Sequence, residues 1–489
     1  MKVLMFGWEF PPHISGGLGT ASYGLTRGLS TFKDLDILFV VPKAYGDEDQ
    51  SAVRVMGAND VDMRTRKYHF NKYWKESLEY NSPLVSEINF SYTQEHFEPS
   101  QTYKEITYIE VNSGILPYLD APGFEKLMRS KNIDPNKVTF DYEGKMYVED
   151  ENGERKEITV SYSEIATTNE EGKFEFTGKY GTNLYQEVSN YAEVARQIAL
   201  SNDFDIIHAH DWLTYAAGVA AKEISGKPLV IHVHATEFDR SGESVNQKVY
   251  DIERMGMHAA DMIIAVSNLT RDIIINRYGV SPDKVVTVYN AVEPGVEQEA
   301  KEFKKTINKK IVTFLGRITF QKGPEYFVEA ARKVLDRTDD VRFVMAGSGD
   351  LLHKMIKRVA ELKMGSKFYF PGFMKGAEVD KIFNISDVYV MPSVSEPFGI
   401  SPLEAMRSNV PVIISHQSGV AEILKHAIKT DFWDTDAIAD SIYSFIKYEG
   451  LNKMFRENSK AEVDELKWEN SAAHVRKVYY DTYYHFLNS

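Results

Sequence analysis

Four short stretches carry residue types that can handle a polyphosphate or a sugar. In Leu315-Gly316-Arg317-Ile318-Thr319-Phe320-Gln321-Lys322-Gly323, two cations stand five apart in a loop that follows an apolar run and ends at Gly323-Pro324. Proline suits the first turn of a helix, so Arg317 and Lys322 can converge on one anion at a helix start. In Met391 to Ala405, Glu396 sits in a turn, Ser401-Pro402 reads as an N-cap and first helical position, and Glu404 falls in that helix's first turn. The amides of Gly399, Ile400 and Ser401 are then exposed at the helix start, and the two carboxylates flank a seat of diphosphate size. Each of these residues has an ordinary reading by itself, as a solvated cation or a first-turn acid. Their convergence is what points to chemistry.

The third stretch is a pair of neighbouring strand ends. Asp205-Ile206-Ile207-His208-Ala209-His210-Asp211-Trp212 and Ile231-His232-Val233-His234-Ala235-Thr236-Glu237-Phe238-Asp239-Arg240 both pass from apolar to polar, where a doubly wound sheet places its ligand. Asp211 is a candidate for a substrate hydroxyl. His234 lies nearest the edge and is the histidine expected to face the cleft, with His232 as the alternative two residues away. Buried core histidines are the expectation for His208 and His232 on alternation alone. Two His-x-His pairs without a thiolate make a poor zinc site, and no metal is expected. The fourth stretch, Pro11-Pro12-His13-Ile14-Ser15-Gly16-Gly17-Leu18-Gly19-Thr20, puts Gly16 and Gly17 at a helix N-terminus, where backbone N–H groups can approach a phosphate or sugar. It is not the G-x-G-x-x-G fingerprint, so a nicotinamide enzyme does not follow.

The elements that must position these residues read as repeated strand, turn and helix, the pattern of a parallel sheet with helices on both faces. Strands are expected at Lys2 to Phe6, Leu35 to Val41, Asp205 to His208, Leu229 to His234, Met262 to Val266 and Val285 to Tyr289. The alternation restarts at Ile311 to Leu315, Val341 to Met345, Lys367 to Phe370, Asp387 to Met391 and Val410 to Ile414. The fold class is therefore α/β, with two doubly wound Rossmann-like domains facing a central cleft. The first is expected over residues 1–293, interrupted by an insertion at about 46–180, and the second over 294–467. A terminal helix, 468–489, is expected to pack back on the first. Within the insertion, Asp150-Glu151-Asn152-Gly153 marks a hairpin turn between residues 137 and 168.

Composition narrows the classes further. The chain has 489 residues, 57 Lys plus Arg against 71 Asp plus Glu, a net charge of −14, 43% hydrophobic residues and no cysteine. That acidic balance argues against a phosphate-backbone binder, which would need a basic face, so no nucleic-acid partner is expected. Disulfides, thiolate metal sites and cysteine nucleophiles are excluded as well. No apolar run approaches a membrane span and no targeting segment is visible, so a cytoplasmic location is expected.

The Pro-Pro-x3-Gly-Gly turn, the His-Ala-His-Asp-Trp strand end, the Gly-Arg-x4-Lys-Gly loop and the Glu-x7-Glu segment ending in Glu404 come in one order from Pro11 to Glu404. Together they resemble the retaining GT-B glycosyltransferases of the glycogen and starch synthase group (family 5) and its family 4 relatives. The resemblance covers nearly the whole chain apart from the insertion. It implies that Arg317 and Lys322 neutralise the donor diphosphate, that Glu396 contacts the hydroxyls of the transferred sugar, and that Glu404 holds the nucleotide ribose. It places His234 against the transferred glucose, with His232 a close rival, and matches Asp211 to an active-site aspartate. The chain departs from bacterial glycogen synthases in carrying Ile14-Ser15-Gly16-Gly17 where they carry Lys-Thr-Gly-Gly. One cation fewer then stands near the donor, which leaves open whether ADP-glucose is the donor and a polyglucan the acceptor.

The resemblance implies hexose transfer from a nucleotide diphosphate sugar to an acceptor hydroxyl with retention, without a metal or other cofactor. An α-glucan or another glycan is the expected acceptor. Competing expectations are a family 4-type transferase with a small or glycan acceptor, a sugar-nucleotide 2-epimerase, and a sugar-nucleotide-binding protein without catalysis.

Overall fold

The computed structural model describes residues 1–13, 17–63, 129, 133–134, 138–140, 146–149, 155–158, 173–178, 180–181, 183–292 and 308–488. The strands of the first half are β1 (Lys2–Phe6), β2 (Asp36–Val41), β3 (Arg54–Gly57), β4 (Val138–Phe140), β5 (Met146–Glu149), β6 (Arg155–Ile158), β7 (Ile206–His210), β8 (Leu229–Val233), β9 (Met262–Ala265) and β10 (Val285–Thr287). Those of the second half are β11 (Lys310–Leu315), β12 (Val341–Ala346), β13 (Phe368–Gly372), β14 (Val388–Met391), β15 (Val412–Ser415) and β16 (Ile428–Thr430). One sheet has the order β10-β9-β8-β7-β1-β2-β3 and the other β13-β12-β11-β14-β15-β16. The pairs of the second sheet are parallel throughout, as are β1 with β2 and β7, β2 with β3, and β9 with β8 and β10. The chain thus holds the two Rossmann-like α/β sheets that the strand and helix alternation implies.

The helices before the second sheet are α1 (Gly17–Ser30), α2 (Leu184–Ser201), α3 (Trp212–Ser225), α4 (Glu237–Ser241), α5 (Gln247–Ala259) and α6 (Asn268–Tyr278). Those after it begins are α7 (Pro324–Leu335), α8 (Leu352–Glu361), α9 (Ala377–Ile385), α10 (Ser401–Arg407), α11 (Thr435–Lys447), α12 (Glu449–Asp464) and α13 (Trp468–Asn488). Contacts divide the chain into two compact units. The first comprises Met1–His13, Asp36–Ala209 and Leu213–Leu229, and the second Ile14–Leu35, His210–Trp212 and Val230–Ser489.

In the first unit, α2 is anchored by Tyr191, a fully buried residue whose hydroxyl donates toward Val40 O at 2.6 Å and Gly7 O at 3.1 Å. The ring packs edge-on against Phe6, Trp8 and Phe176. Within the expected insertion, β5 pairs antiparallel with β4 and with β6, with Glu149 opposite Arg155. The Asp150 to Gly153 turn between those strands lies outside the described residues.

In the second unit, successive residues of a strand supply opposite cores, as the pleat requires. Val388 and Val390 of β14 join the cluster built on Phe314, Phe327, Phe343 and Ile442. Tyr389 and Met391 point the other way, into the cluster of Leu403, Met406 and Ile414. Both faces of this sheet are therefore covered. β13 accommodates Pro371 because it is the edge strand, where one side of the ladder needs no donor.

The terminal helix α13 packs on α1. Gly28 of α1 makes the approach possible, because a Cβ there would stand 2.6 Å from Trp468 O and 2.9 Å from the Ala472 Cβ. Arg476 fixes the same contact: Nη2 lies 2.6 Å from Asp34 Oδ2, and the Tyr480 hydroxyl donates to that oxygen at 2.7 Å. These hydrogen bonds hold the Asp34 carboxyl down at about 2. Gly to Ala inside a helix ordinarily stabilises by about 0.5–1 kcal/mol. Gly28→Ala is expected to do the reverse, lowering unfolding free energy by about 1–3 kcal/mol in a denaturant titration, since the obstructing oxygen belongs to backbone. A gain in stability would mean that the two helices do not pack this way.

Candidate active site

In an open parallel sheet, ligands bind beyond the carboxyl ends of the strands where the strand order reverses. In the second sheet that point lies between β11 and β14. The loops leaving those two strands carry Arg317 with Lys322, and Glu396 with Gly399.

The first loop is held rigidly. Gly316 N–H donates to Ala346 O at 3.0 Å, Ile318 N–H to Ser348 O at 2.8 Å, and Leu351 N–H returns to Ile318 O at 3.0 Å. Gly347, at φ +143°, permits the close passage, because a Cβ there would lie 1.8 Å from Gly316 O. The short turn Phe320–Lys322 then closes at Gly323, φ +63°, whose Cα backs onto Pro392 O. Val394 N–H donates to Gln321 O at 2.9 Å, so the two loops share backbone as well as side-chain contacts.

Lys322 Nζ meets Glu396 Oε2 directly, and Ser393 Oγ donates to the same oxygen at 3.4 Å. The Glu396 side chain is only 8% exposed and that of Lys322 20%. Their attraction is therefore less screened than that of a surface pair. Arg317 is exposed and donates through Nη2 to Gln321 Oε1 at 3.1 Å. The two cations flank the loop, with Lys322 on the carboxylate and Arg317 on the amide.

After Glu396 the chain turns through Gly399, φ +98°, where a Cβ would crowd Glu396 Cγ and Met391 Cε at 3.1 Å. Helix α10 begins at Ser401, with Ile400 at its N-cap and Pro402 inside the first turn. The expected N-cap role of Ser401 is thus corrected by one position. No side chain caps this end, and among the described residues no backbone oxygen accepts from the amides of Gly399, Ile400 or Ser401. Glu404 lies in that first turn, and burial pushes its carboxyl above the usual range.

The opposing rim belongs to the same unit. Asp211 stands at φ +60°, a left-handed conformation uncommon outside glycine. That twist turns its carboxylate toward the next strand end, where Oδ1 accepts from His234 N–H at 2.7 Å and Ala235 N–H at 3.2 Å. The aspartate expected at a substrate hydroxyl is therefore buried and engaged in fixing the His234 backbone. Burial raises its pKa to about 6, overcoming the lowering effects of Arg240 and the two amides. His234 is partly exposed while His232 is 2% exposed, so the edge histidine is the one at the rim. The His234 ring stacks on His232 at 4.4 Å, and its Nε2 lies 2.9 Å from His210 Nδ1. Burial depresses its pKa to about 3. It is a neutral imidazole at physiological pH, with Nδ1 lacking a partner.

Residues not singled out from sequence complete this rim. Thr236 and Asp239 form a capping box at the start of α4, a T-x-x-D pattern typical of a helix start. Arg240 Nη1 lies 2.8 Å from Glu253 Oε1 and 3.5 Å from Glu237 Oε2, and Nη2 lies 3.8 Å from Asp211 Oδ2. α4 contacts the Phe320–Lys322 turn, which sets the histidine rim beside the lysine loop. Gly17 opens α1 with no protein atom within 4 Å of a would-be Cβ, whereas Gly16 lies outside the described residues.

In the first unit, ligand-type atoms of His13, Asp47 and Glu48 lie within 4.8 Å of one another. Both Glu48 oxygens accept backbone N–H groups, from Tyr45 at 2.6 Å and Gly46 at 3.0 Å, while Asp47 takes His13 at 2.7 Å.

Two parallel Rossmann-like sheets in one chain define the GT-B class, and the half-buried Lys322–Glu396 pair stands at the switch point of the second. Residues 296–462 match the family model described as Glycosyl transferases group 1, and residues 166–296 match Glycosyltransferase Family 4. The chain is 32% identical over 294 residues to an uncharacterized glycosyltransferase of Methanocaldococcus jannaschii, covering 56% of this chain and 75% of the relative. It belongs to this glycosyltransferase family. It is also 28% identical to an α-maltose-1-phosphate synthase of Mycolicibacterium smegmatis, over 56% of this chain and 78% of that protein. Among solved structures, sucrose-phosphate synthase of Thermosynechococcus elongatus superposes with a TM-score of 0.62 at 13% identity, covering 98% of both chains. Anabaena HepE in complex with UDP gives 0.51 at 18% identity over 60% of this chain and 81% of that one. Likeness at that identity speaks for the fold. No helix among the described residues is long and apolar enough to cross a membrane.

Proposed function

We propose that the protein transfers glucose from a nucleotide diphosphate sugar to an acceptor hydroxyl with retention, extending an α-glucan, and that it does so without a metal. The observation that carries this reading is the Lys322–Glu396 pair beside the unpartnered amides of 399–401. A diphosphate there meets a cation and oriented N–H groups, and the carboxylate of Glu396 is left to accept from sugar hydroxyls. Breaking the anomeric bond leaves negative charge on the diphosphate, so fixed donors aimed at that leaving group lower the barrier. Arg317 adds charge at the rim, and Glu404 is assigned to the ribose. Neutral His234 offers a polar ring and backbone to the sugar without adding a competing charge. In the front-face route we favour, the departing phosphate takes the acceptor proton.

The neighbour solved with UDP supports the nucleotide-sugar donor in this reading. The division into a 1–293 acceptor side, a 294–467 donor side and a 468–489 helix belongs to this proposal. The test is a panel of ADP-, UDP- and GDP-glucose with and without glycogen, scored by nucleoside diphosphate release. The anomeric configuration of the product is read by NMR, and EDTA is included in parallel. Acceptor-dependent release with an α-linked product that survives EDTA is expected. No release from any donor sinks the reading.

A further inference from the structure

The turn carrying Glu396 and the rim carrying His234 are joined, within the second unit, by one side-chain hydrogen bond. Ser395 Oγ donates to Asp239 Oδ1 at 2.6 Å. The other oxygen of Asp239 is already used, accepting from Thr236 N–H at 2.7 Å and Thr236 Oγ1 at 2.8 Å. A capping box needs one carboxylate oxygen, and here the second reaches a different loop. Asp239 is 1% exposed, so water does not readily replace Ser395 while the two rims are together.

The sequence neighbours of the two partners make this bond consequential. Ser395 precedes Glu396, whose backbone N–H donates to Gln417 O at 2.9 Å and whose O accepts from Gly419 N–H at 2.9 Å. Those two bonds fix the far side of the turn, and the Ser395 hydroxyl fixes its near side against the His234 rim, next to Glu396 and its Lys322 partner. On the other side, Thr236 lies two residues past His234, whose amide is already pinned by Asp211. A second contact runs in parallel, Thr270 Oγ1 to Pro397 O at 3.4 Å. It ties the same turn to the start of α6 but leaves the His234 segment untouched.

We propose that Asp239 and Ser395 are positioning residues for sugar transfer, setting the His234 rim in register with Glu396 and keeping water from the seat between them. This inference rests on the transferase reading. Removing the Ser395 hydroxyl leaves the capping box and α4 intact while releasing the register. The effect then falls on reacting geometry and water exclusion rather than on donor binding.

The test compares Ser395→Ala, Ser395→Thr, Asp239→Asn and the double variant Ser395→Ala/Asp239→Asn in the full chain, with the best donor and glycogen. Ser395→Ala is expected to lower transfer kcat about tenfold while donor KM stays within about twofold, and to raise the share of donor lost to water. Ser395→Thr restores both readings, and the double variant is no slower than the slower single one. The inference is overturned if Ser395→Ala transfers and hydrolyses like the wild type, if Thr fails to rescue, or if the two single losses multiply. A wild type that releases no nucleoside diphosphate from any donor overturns the transferase reading, and this inference with it. Wild-type release alongside an unaffected Ser395→Ala overturns this inference alone.

Discussion

Lys322→Ala is expected to lower turnover by about 10² to 10³ at saturating donor, the usual cost of deleting one preorganised electrostatic donor. The loop that presents Lys322 is fixed before any substrate arrives, by the backbone bonds at 316 and 318 and by the passage that Gly347 and Gly323 allow. The ammonium therefore needs no reorganisation when charge develops on the leaving group. Its resting partner, Glu396, is nearly buried, so the alanine variant also leaves a carboxylate without its cation, which destabilises the turn. These two effects separate in Lys322→Ala/Glu396→Gln, which is expected to regain stability in a denaturant titration without regaining turnover. Lys322→Arg is not a neutral control, since a planar fork does not replace a point charge on this carboxylate. Initial rates at saturating donor check the prediction, and an unchanged rate for Lys322→Ala removes the lysine from its assigned role.

The parts of this site that sequence reveals are those in which residue type and element boundary coincide. Lys322 follows a β-branched strand and precedes Gly-Pro, and Glu396 sits between a strand and a helix opened by Ser401-Pro402, so pattern alone places both at the edge of a sheet. Strand positions follow the same logic, with ends shifted by at most two residues. β3 (Arg-Val-Met-Gly) and β16 (Ile-Lys-Thr) escape it because each breaks its apolar residues with a charged one, whereas equally short strands such as β9 and β14 are continuous apolar runs. Partnership is harder to read than placement. Asp211 carries the right type at the right edge, but its direction depends on a φ of +60°, which no side-chain pattern encodes. Ser395 and Asp239 stand 156 positions apart, and nothing local in either stretch announces the other. Arg240 reads as an ordinary helix cation until its three acidic neighbours, from α4, α5 and the end of β7, are brought around it.

That cation is the site of the second large effect: Arg240→Met is expected to destabilise the protein by about 3–5 kcal/mol near pH 8, the cost typical of breaking a buried ion network by removing one partner. Glu253 is 1% exposed, Glu237 4% and Asp211 6%. Arg240 Nη2 also donates to Ala235 O at 3.1 Å, so the methionine variant loses a hydrogen bond beside His234 as well. The loss carries a definite pH dependence. Burial raises Asp211 to about 6 and pushes Glu253 upward, while the guanidinium pulls both down. A carboxyl whose folded pKa exceeds its unfolded one binds more protons when folded, so its contribution to stability falls as pH climbs from the unfolded to the folded pKa. For wild-type Asp211 that window runs from about 4 to about 6. Without Arg240 the folded values move higher and the window extends toward neutrality. The deficit of Arg240→Met relative to wild type is therefore smallest near pH 5, where the carboxyls can take up protons, and grows toward pH 8. Urea titrations at those two pH values measure it directly. A deficit of the same size at both would show that Arg240 acts through packing of its stem, with its charge contributing little.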